Sequence, residues 1–336
     1  MPDALDFQII NALQIHPRVS WTQLGKILAV DSSTISRRWN TLLSERLAWA
    51  SCYDSGTLGT AGAVFALVEV RCVSGRRGEV IEELVRQPAV FSVNCTSGSR
   101  DLYLMLVAST LVETDRYVDA HISSIPGIIG TRTHYLRTIY RESSSWRLNV
   151  LKPGQVDALE KLRPSAKNVE HKPAYDAIIA ALRGDPRRTA AQVQAEVGRS
   201  ISVISRDIDA ILAAKWVRWH VDFAQQIMGW PAAAVLWLDV NRADHERVVA
   251  SLKMLNQVRV CASVTGQANL YVLLWLRDLE ELDDLEHRFT SAFPRVQIKD
   301  RWIIPRIAKR QGHILDDDSR HQQFVRLTSQ TGGLED

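Results

Sequence analysis

Ile9-Ile10-Asn11-Ala12-Leu13, set against Ile178-Ile179-Ala180-Ala181-Leu182, decides the fold. The offset that superposes them places Ser20 on Thr189. Without a gap it lays Pro17-Arg18 on Pro186-Arg187, Gln23 on Gln192 and Ile35-Ser36-Arg37 on Ile204-Ser205-Arg206. A similar register continues downstream. Residues 63–70 (Ala-Val-Phe-Ala-Leu-Val-Glu-Val) fall on residues 233–240, and Ser97-Gly98 through Asp101-Leu102 fall on Thr265-Gly266 through Asn269-Leu270. Two copies are too few for a solenoid, so the pattern is a tandem of one two-part unit.

Each unit opens with three short helices. Ile9, Ile10 and Leu13 share one helical face, and Pro17 ends that helix. Ser20-Trp21-Thr22-Gln23 and Thr189-Ala190-Ala191-Gln192 read as capping boxes for a second helix. Asp31 and Ser200 are placed to cap a third, with Ile35, Trp39 and Leu42, or Ile204, Ile208 and Ile211, buried at helical spacing. This is the helix-turn-helix order. The rest of each unit alternates strand, helix, strand, strand, helix, strand, the ferredoxin-like order of an antiparallel sheet with helices on one face. The fold class expected is α+β: two copies of a winged or three-helix helix-turn-helix followed by a ferredoxin-like βαββαβ domain. The expected boundaries are 1–58 and 59–142, a linker at 143–172 with a short helix around 156–162, then 173–229 and 230–311. A loosely ordered tail is expected at 312–336, where Asp316-Asp317-Asp318 and Gly332-Gly333 lie.

The chain has 336 residues, 46% hydrophobic and 24% charged, with a formal net charge of +3, so it is neither a polybasic coat nor an acidic disordered tail. That charge belongs to the first half, so anion binding depends on local patches. Cys52, Cys72, Cys95 and Cys261 contain no Cys-x-x-Cys pair, which argues against a zinc knuckle or a disulfide framework. No apolar run approaches the roughly 20 residues of a membrane helix. Residues 1–8 carry Asp3 and Asp6 without a basic region, unlike a signal peptide. A soluble, cytoplasmic protein is expected, with no metal, no cofactor and no membrane partner.

Taken in order, Leu5-Asp6, Val19-Ser20, Leu24-Gly25-Lys26, Ser97-Gly98-Ser99-Arg100-Asp101-Leu102, Ile125-Pro126-Gly127 and Thr131-Arg132-Thr133 resemble the Lrp/AsnC (leucine-responsive, feast-famine) family of transcriptional regulators. The likeness covers nearly the whole chain twice, and the duplication is its departure, since typical members carry one unit. The resemblance implies a sequence-specific, DNA-binding, non-enzymatic regulator responding to an amino acid or related metabolite.

Recognition helices need exposed donors on one face. Copy one offers Ser32, Ser33, Thr34, Ser36, Arg37, Arg38 and Asn40, with no acid between Asp31 and Glu45. Copy two keeps Ser202, Ser205 and Arg206, but Asp207 and Asp209 replace Arg38 and Asn40, and carboxylates repel phosphates. Copy one is therefore expected to dominate, with Arg187, Arg188 and Arg199 left to hold phosphates in copy two. A solvated helix face is the plainer reading of either set.

The resemblance places an effector at the loop between the second and third sheet strands. Thr96, Gly98, Ser99, Asp101 and Thr133 are its candidates in copy one, and Gly266 and Asn269 in copy two, where the amide removes the charge that would meet an ammonium group. The alternative is a tight glycine turn tied by Asp101. The sirohaem decarboxylases, tetrapyrrole enzymes of the same architecture, are the competing function. That reading needs His and Arg clustered in the sheet cleft, where only His134, beside Tyr135, is a candidate. The duplication further implies an intrachain pseudo-dimer, with like units paired between chains as the competing arrangement, an imperfectly palindromic double-stranded operator, and further homo-oligomerisation.

Overall fold

The computed structural model describes residues 2–54, 63–164 and 168–327. In chain order the helix-turn-helix comprises α1 (Ala4–Ile15), α2 (Trp21–Leu28) and α3 (Ser32–Ser44), followed by β1 (Ala48–Asp54). The first sheet domain has β2 (Val64–Cys72), α4 (Arg77–Arg86), β3 (Val90–Cys95), β4 (Leu102–Ala108), α5 (Leu111–Tyr117, continued as a π turn) and β5 (Ile128–Arg141). After α6 (Pro153–Leu162) the pattern repeats with α7 (Pro173–Leu182), α8 (Ala190–Val197), α9 (Ile201–Ala213) and β6 (Val217–Phe223). It continues through β7 (Ala232–Asp239), α10 (His245–Met254), β8 (Val258–Val264), β9 (Leu270–Leu276), α11 (Glu280–Ala292) and β10 (Gln297–Ile304). Three short strands close the chain: β11 (Arg306–Arg310), β12 (His313–Leu315) and β13 (His321–Phe324).

Two compact units form, each drawing on both halves of the chain. Met1–Thr60 joins Arg147–Phe223, and Ala61–Trp146 joins Ala224–Asp336. The parts expected in sequence are present, but each associates with its own duplicate. The expected boundary at 58/59 and the Gly332-Gly333 stretch lie outside the described residues.

In the helical unit each helix start is fixed locally. Asp3 caps α1 in a box with Asp6, and Asp31 caps α3 by accepting from the Ser33 N–H at 2.8 Å. Thr189 and Gln192 form the expected box on α8, whereas Ser20 accepts from the Gln23 N–H and gives its own hydroxyl to the Gln23 side chain. Ser200 makes no cap bond; its hydroxyl meets that of Ser202 instead. Gly25 has a packing reason, because a Cβ there would stand 2.7 Å from the Val30 carbonyl oxygen. Among the described residues no wing hairpin follows α3. Instead β1 pairs antiparallel with β6, with Ser51 opposite His220, its own counterpart at the duplication offset. The two helix-turn-helices are thus joined about a local pseudo-two-fold. Gln14 of α1 donates to the Val221 carbonyl and accepts from the Leu148 N–H, so residues 147–151 and β6 are both held on α1.

In the sheet unit each copy has ferredoxin-like strand order, β5-β2-β4-β3 and β10-β7-β9-β8. The register corrects the sequence alignment. Glu69 lies opposite Tyr103 as Trp237 lies opposite Tyr271, so residue 69 corresponds to 237, not to Asp239. A slip of two residues preserves the in–out alternation of a strand, which is why the sequence did not reveal it. The fourth strand of each copy then crosses over. β5 pairs with β2 up to Tyr135 and with β8 from Leu136, while β10 pairs with β7 and its continuation β11 with β3. The helix-facing cores are apolar, with Val68, Leu104 and Leu84 in one copy and Leu236, Val272 and Leu252 in the other.

Over residues 313–324 the expected loose tail is a second correction. β12 and β13 extend the sheet beyond β11, and Asp316 binds the Arg320 N–H at 2.8 Å, closing the turn between them. Short polar strands on an edge carry little alternation, so the sequence reads as coil. The expected linker holds α6 and is divided between the units at residue 146/147.

Each crossing strand delivers a cation to the other copy's helix end. Arg141 donates to the Lys253 and Leu255 carbonyls behind α10, and Lys309 donates to the Gln87 carbonyl behind α4 at 2.7 Å. Lys309 is fully buried, and burial pulls its ammonium down to about 7. Unfolded, it holds its proton to about 10.5, so between those values unfolding takes up a proton and raising the pH stabilises the fold. Thermal unfolding of the full chain is expected to show a midpoint rising with pH from about 7. Lys309→Met is expected to flatten that rise.

Candidate DNA-binding interface and effector loop

The third helices present matched faces. Ser33, Ser36 and Arg37 on α3 correspond to Ser202, Ser205 and Arg206 on α9, with i, i+3, i+4 spacing, while Ile35 and Trp39, or Ile204 and Ile208, point into the cores. Arg37 and Arg206 are exposed, and neither guanidinium has a partner among the described residues. Ser32, Thr34 and Ser36 are half-buried beside exposed Asn40.

Two charges that distinguished the copies are spent internally. Arg38 binds Asp3 at 2.8 Å and Asp6 at 3.2 Å, clamping α3 to the start of α1. In copy two Asp207 takes Arg199 at 2.6 Å, so its carboxylate is already neutralised. The expected dominance of copy one shrinks accordingly and rests on Asn40 against Asp209.

Nor are Arg187 and Arg188 free for phosphate. Arg188 binds Glu196 at 2.5 Å, and Arg187 reaches into copy one, donating to the Pro17 carbonyl at 2.7 Å and the Val19 carbonyl at 3.0 Å. Its counterpart Arg18 reciprocates, donating to the Pro186 and Arg188 carbonyls. The Arg187 guanidinium also lies 3.8 Å from the Trp21 ring centroid. Burial, with the like charge of Arg18 second, pushes Arg187 down to about 10.

The glycine loops of the sheet unit are docked on the opposite copy. Ser97 donates its N–H to Ile303 and accepts the Ile303 N–H on its hydroxyl, both at 3.0 Å. Thr265 does the same with Tyr135, at 3.0 and 2.9 Å. Gly98 and Gly266 turn at φ +92° and +121°, where other residues are strained; a Cβ on Gly266 would also stand 3.1 Å from His134 Nδ1. Asp101 accepts the Cys72 N–H at 2.7 Å, and Asn269 accepts the matching Val240 N–H at 3.0 Å. The charge difference between these two therefore serves one backbone tie. Thr96 is buried with its hydroxyl on the Ser97 carbonyl, and Ser99 accepts from Arg100. Thr133 lies opposite Val68, on the helix-facing side of the sheet and away from Glu69.

Between the sheets lies a cluster the sequence did not single out beyond His134. His134 Nε2 stands 2.8 Å from Glu69, Glu69 takes Arg100 Nε at 2.7 Å, and Arg100 also holds Asp300 at 2.9 Å. Burial works against the Glu69 carboxylate, but hydrogen bonds from His134 and Arg100 hold it below its ordinary value. Trp237 packs 4.8 Å from both His134 and Trp302, and the Tyr103 and Tyr271 hydroxyls meet at 3.2 Å. By register Glu69 and His134 occupy the positions that Trp237 and Trp302 occupy in copy two. That exchange was the available signal, and the slipped alignment concealed it.

Residues 3–43 match the AsnC-type helix-turn-helix domain, and residues 65–145 match the Lrp/AsnC ligand binding domain. The first half is thus similar to a Lrp/AsnC unit. The HTH-type transcriptional regulator FL11 of Pyrococcus horikoshii is 28% identical over 144 residues, covering 42% of this chain and 93% of that protein. An uncharacterized HTH-type transcriptional regulator of Pyrococcus abyssi is 29% identical over 136 residues, covering 39% and 89%. Among solved structures, the siroheme decarboxylase NirDL superposes with a TM-score of 0.58 at 14% identity, covering 94% of this chain and 96% of that one. At that identity the likeness is one of fold. Among the described residues no helix is long and apolar enough to cross a membrane, and no cluster of His, Cys, Asp and Glu could hold a metal ion.

Arg187→Ala should remove two charge-assisted bonds from the joint of this tandem, costing about 2–3 kcal/mol in chemical denaturation of the full chain. Arg37→Ala, exposed and unpaired, should leave that transition unmoved.

Proposed function

We propose that this chain is a cytoplasmic, sequence-specific DNA-binding transcriptional regulator that works as an intrachain pseudo-dimer and responds to a small-molecule effector. The observation that carries the reading is the matched, exposed, unpaired pair Arg37 and Arg206, each flanked by serines on the third helix of its helix-turn-helix. Asn40 against Asp209 makes the two half-sites unequal, so the operator is an imperfect palindrome. Non-enzymatic action fits this reading, as does further association of chains. Effector residues around Gly98 and Asp101 would act through the docked loop, since moving that loop loosens Ser97 from β10.

Arg37→Ala and Arg206→Ala are each expected to weaken operator binding about tenfold or more, from the 1–3 kcal/mol of a bidentate arginine–base contact. Fluorescence anisotropy at fixed salt reads the loss. An unchanged operator affinity in both variants would falsify the proposal.

The fold likeness to NirDL over nearly the full chain favours a second reading, a tetrapyrrole enzyme. Against it, His134 and Arg100 are engaged with Glu69 and Asp300. A regulator leaves the visible spectrum of added iron uroporphyrin unchanged, whereas a tetrapyrrole enzyme perturbs it.

A further inference from the structure

The two turns that lead into the second helices grip one another through a reciprocal pair of arginines. Arg187 donates to the Pro17 and Val19 carbonyls at 2.7 and 3.0 Å, and Arg18 donates to the Pro186 and Arg188 carbonyls. At the duplication offset these acceptors are the same two positions, so each guanidinium holds the matching turn of the other copy. Val19 and Arg188 immediately precede the caps Ser20 and Thr189, so each bond fixes where a second helix starts. In copy one the grip extends onto α2 itself, since Arg187 stacks 3.8 Å from the Trp21 ring centroid, a position that Ala190 takes in copy two. There α2 is packed onto the turn before α3 so closely that only Gly25 fits. Beyond each third helix the chain runs at once into β1 or β6, which pair with each other. Both α3 and α9 are therefore tied to their duplicate at either end, by the arginines ahead of them and the ribbon behind.

Burial pulls both guanidinia below their ordinary value, the charge of Arg18 adds to that in Arg187, and neither forms an ion pair among the described residues. Apolar side chains would join the turns without that penalty, but they can slide, whereas a planar fork on two backbone carbonyls admits one register. What the pair supplies is geometry. We infer that Arg18 and Arg187 are positioning residues that hold α3 and α9 at one separation and angle, so that the chain accepts a single spacing between its two DNA half-sites. The DNA part of this inference rests on the regulator reading; the geometric part does not. One base pair added between half-sites moves the second by roughly 3.4 Å along the duplex and turns it by about 35°. Two helix-turn-helices on a loose tether can follow that change, and a joint directed by backbone carbonyls cannot.

Two measurements on the full chain test it. Spin labels on cysteines introduced by Asn40→Cys and Asp209→Cys, both exposed positions, report the separation of the third helices without DNA, the four native cysteines being buried. Electron–electron double resonance is expected to give one narrow distance. Arg18→Lys with Arg187→Lys, which keeps both charges and loses the forks, is expected to broaden it. Duplexes that the chain selects from a random-sequence library are then rebuilt with one or two base pairs inserted between the half-sites. Insertion should weaken binding of the native chain about tenfold or more, and of the double lysine variant less than about threefold, as read by fluorescence anisotropy at fixed salt. Circular dichroism checks folding, and Arg18→Lys alone, which leaves the Arg187–Trp21 stack in place, is read if the double variant does not fold. A broad distance in the native chain, or a narrow one kept by the folded lysine variants, overturns the inference. Native binding indifferent to insertion also overturns it and leaves the regulator reading standing. If no duplex is enriched, the regulator reading falls and the DNA part of the inference falls with it, while the label distances still decide the geometric part.

Discussion

Everything in the sheet unit depends on the fourth strand of each copy leaving its own sheet. A four-stranded ferredoxin-like sheet buries one face under helices and leaves the other bare, with an open edge on either side. Here β5 crosses to β8, and the β10–β11 run crosses to β3, so each copy supplies the missing edge of the other. The cations at the strand ends complete the exchange, since Arg141 and Lys309 satisfy helix-terminal carbonyls of the opposite copy. The helical unit repeats the principle at smaller scale through Arg18 and Arg187.

Reciprocity leaves open whether like or unlike copies should pair, and the interior of the sandwich answers that. Arg100 is buried against Asp300, whose counterpart in copy one is Arg132. Two copy-one sheets facing each other would therefore set the buried Arg100 against Arg132, a like-charge encounter. Two copy-two sheets would offer Ala268 where Arg100 belongs and leave Asp300 without its guanidinium. Glu69–His134 against Trp237–Trp302 adds to this, because the polar pair and the aromatic pair fit together only as opposites. Only the unlike pairing sets the buried Arg100 side chain against the opposite charge of Asp300, which disfavours the like pairing.

The architecture was legible in the sequence because duplication doubles every weak signal. Pro17-Arg18 matching Pro186-Arg187 carried more weight than either segment alone. What was not legible was relational. Arg38 and Asp207 looked opposed until Asp3, Asp6 and Arg199 were found beside them. Asp101 looked like an effector ligand, and its tie to the Cys72 N–H is a long-range contact that no local pattern encodes. β1 and β6 leave no mark in the sequence because a strand that pairs with its counterpart in the other copy carries no hairpin or turn signal. The two-residue slip in β2 is the sharpest case: alternation survives it, so only strand register reveals that Glu69 stands where copy two has Trp237.

Covalent fusion explains why such differences can accumulate. In a symmetric homodimer each substitution appears twice at the axis, so an acid introduced there meets itself. With both copies on one chain, Glu69 meets His134 and the tryptophans of copy two instead, and one side of the joint can turn polar while the other turns aromatic. The same freedom reaches the third helices. Ser33, Ser36 and Arg37 keep their counterparts, while Asn40 and Asp209 have parted. An aspartate can accept from a cytosine amino group but repels phosphate, whereas an asparagine suits adenine. A chain that always presents one of each holds two unequal third helices in a fixed combination. A homodimer of single units has no means to do so.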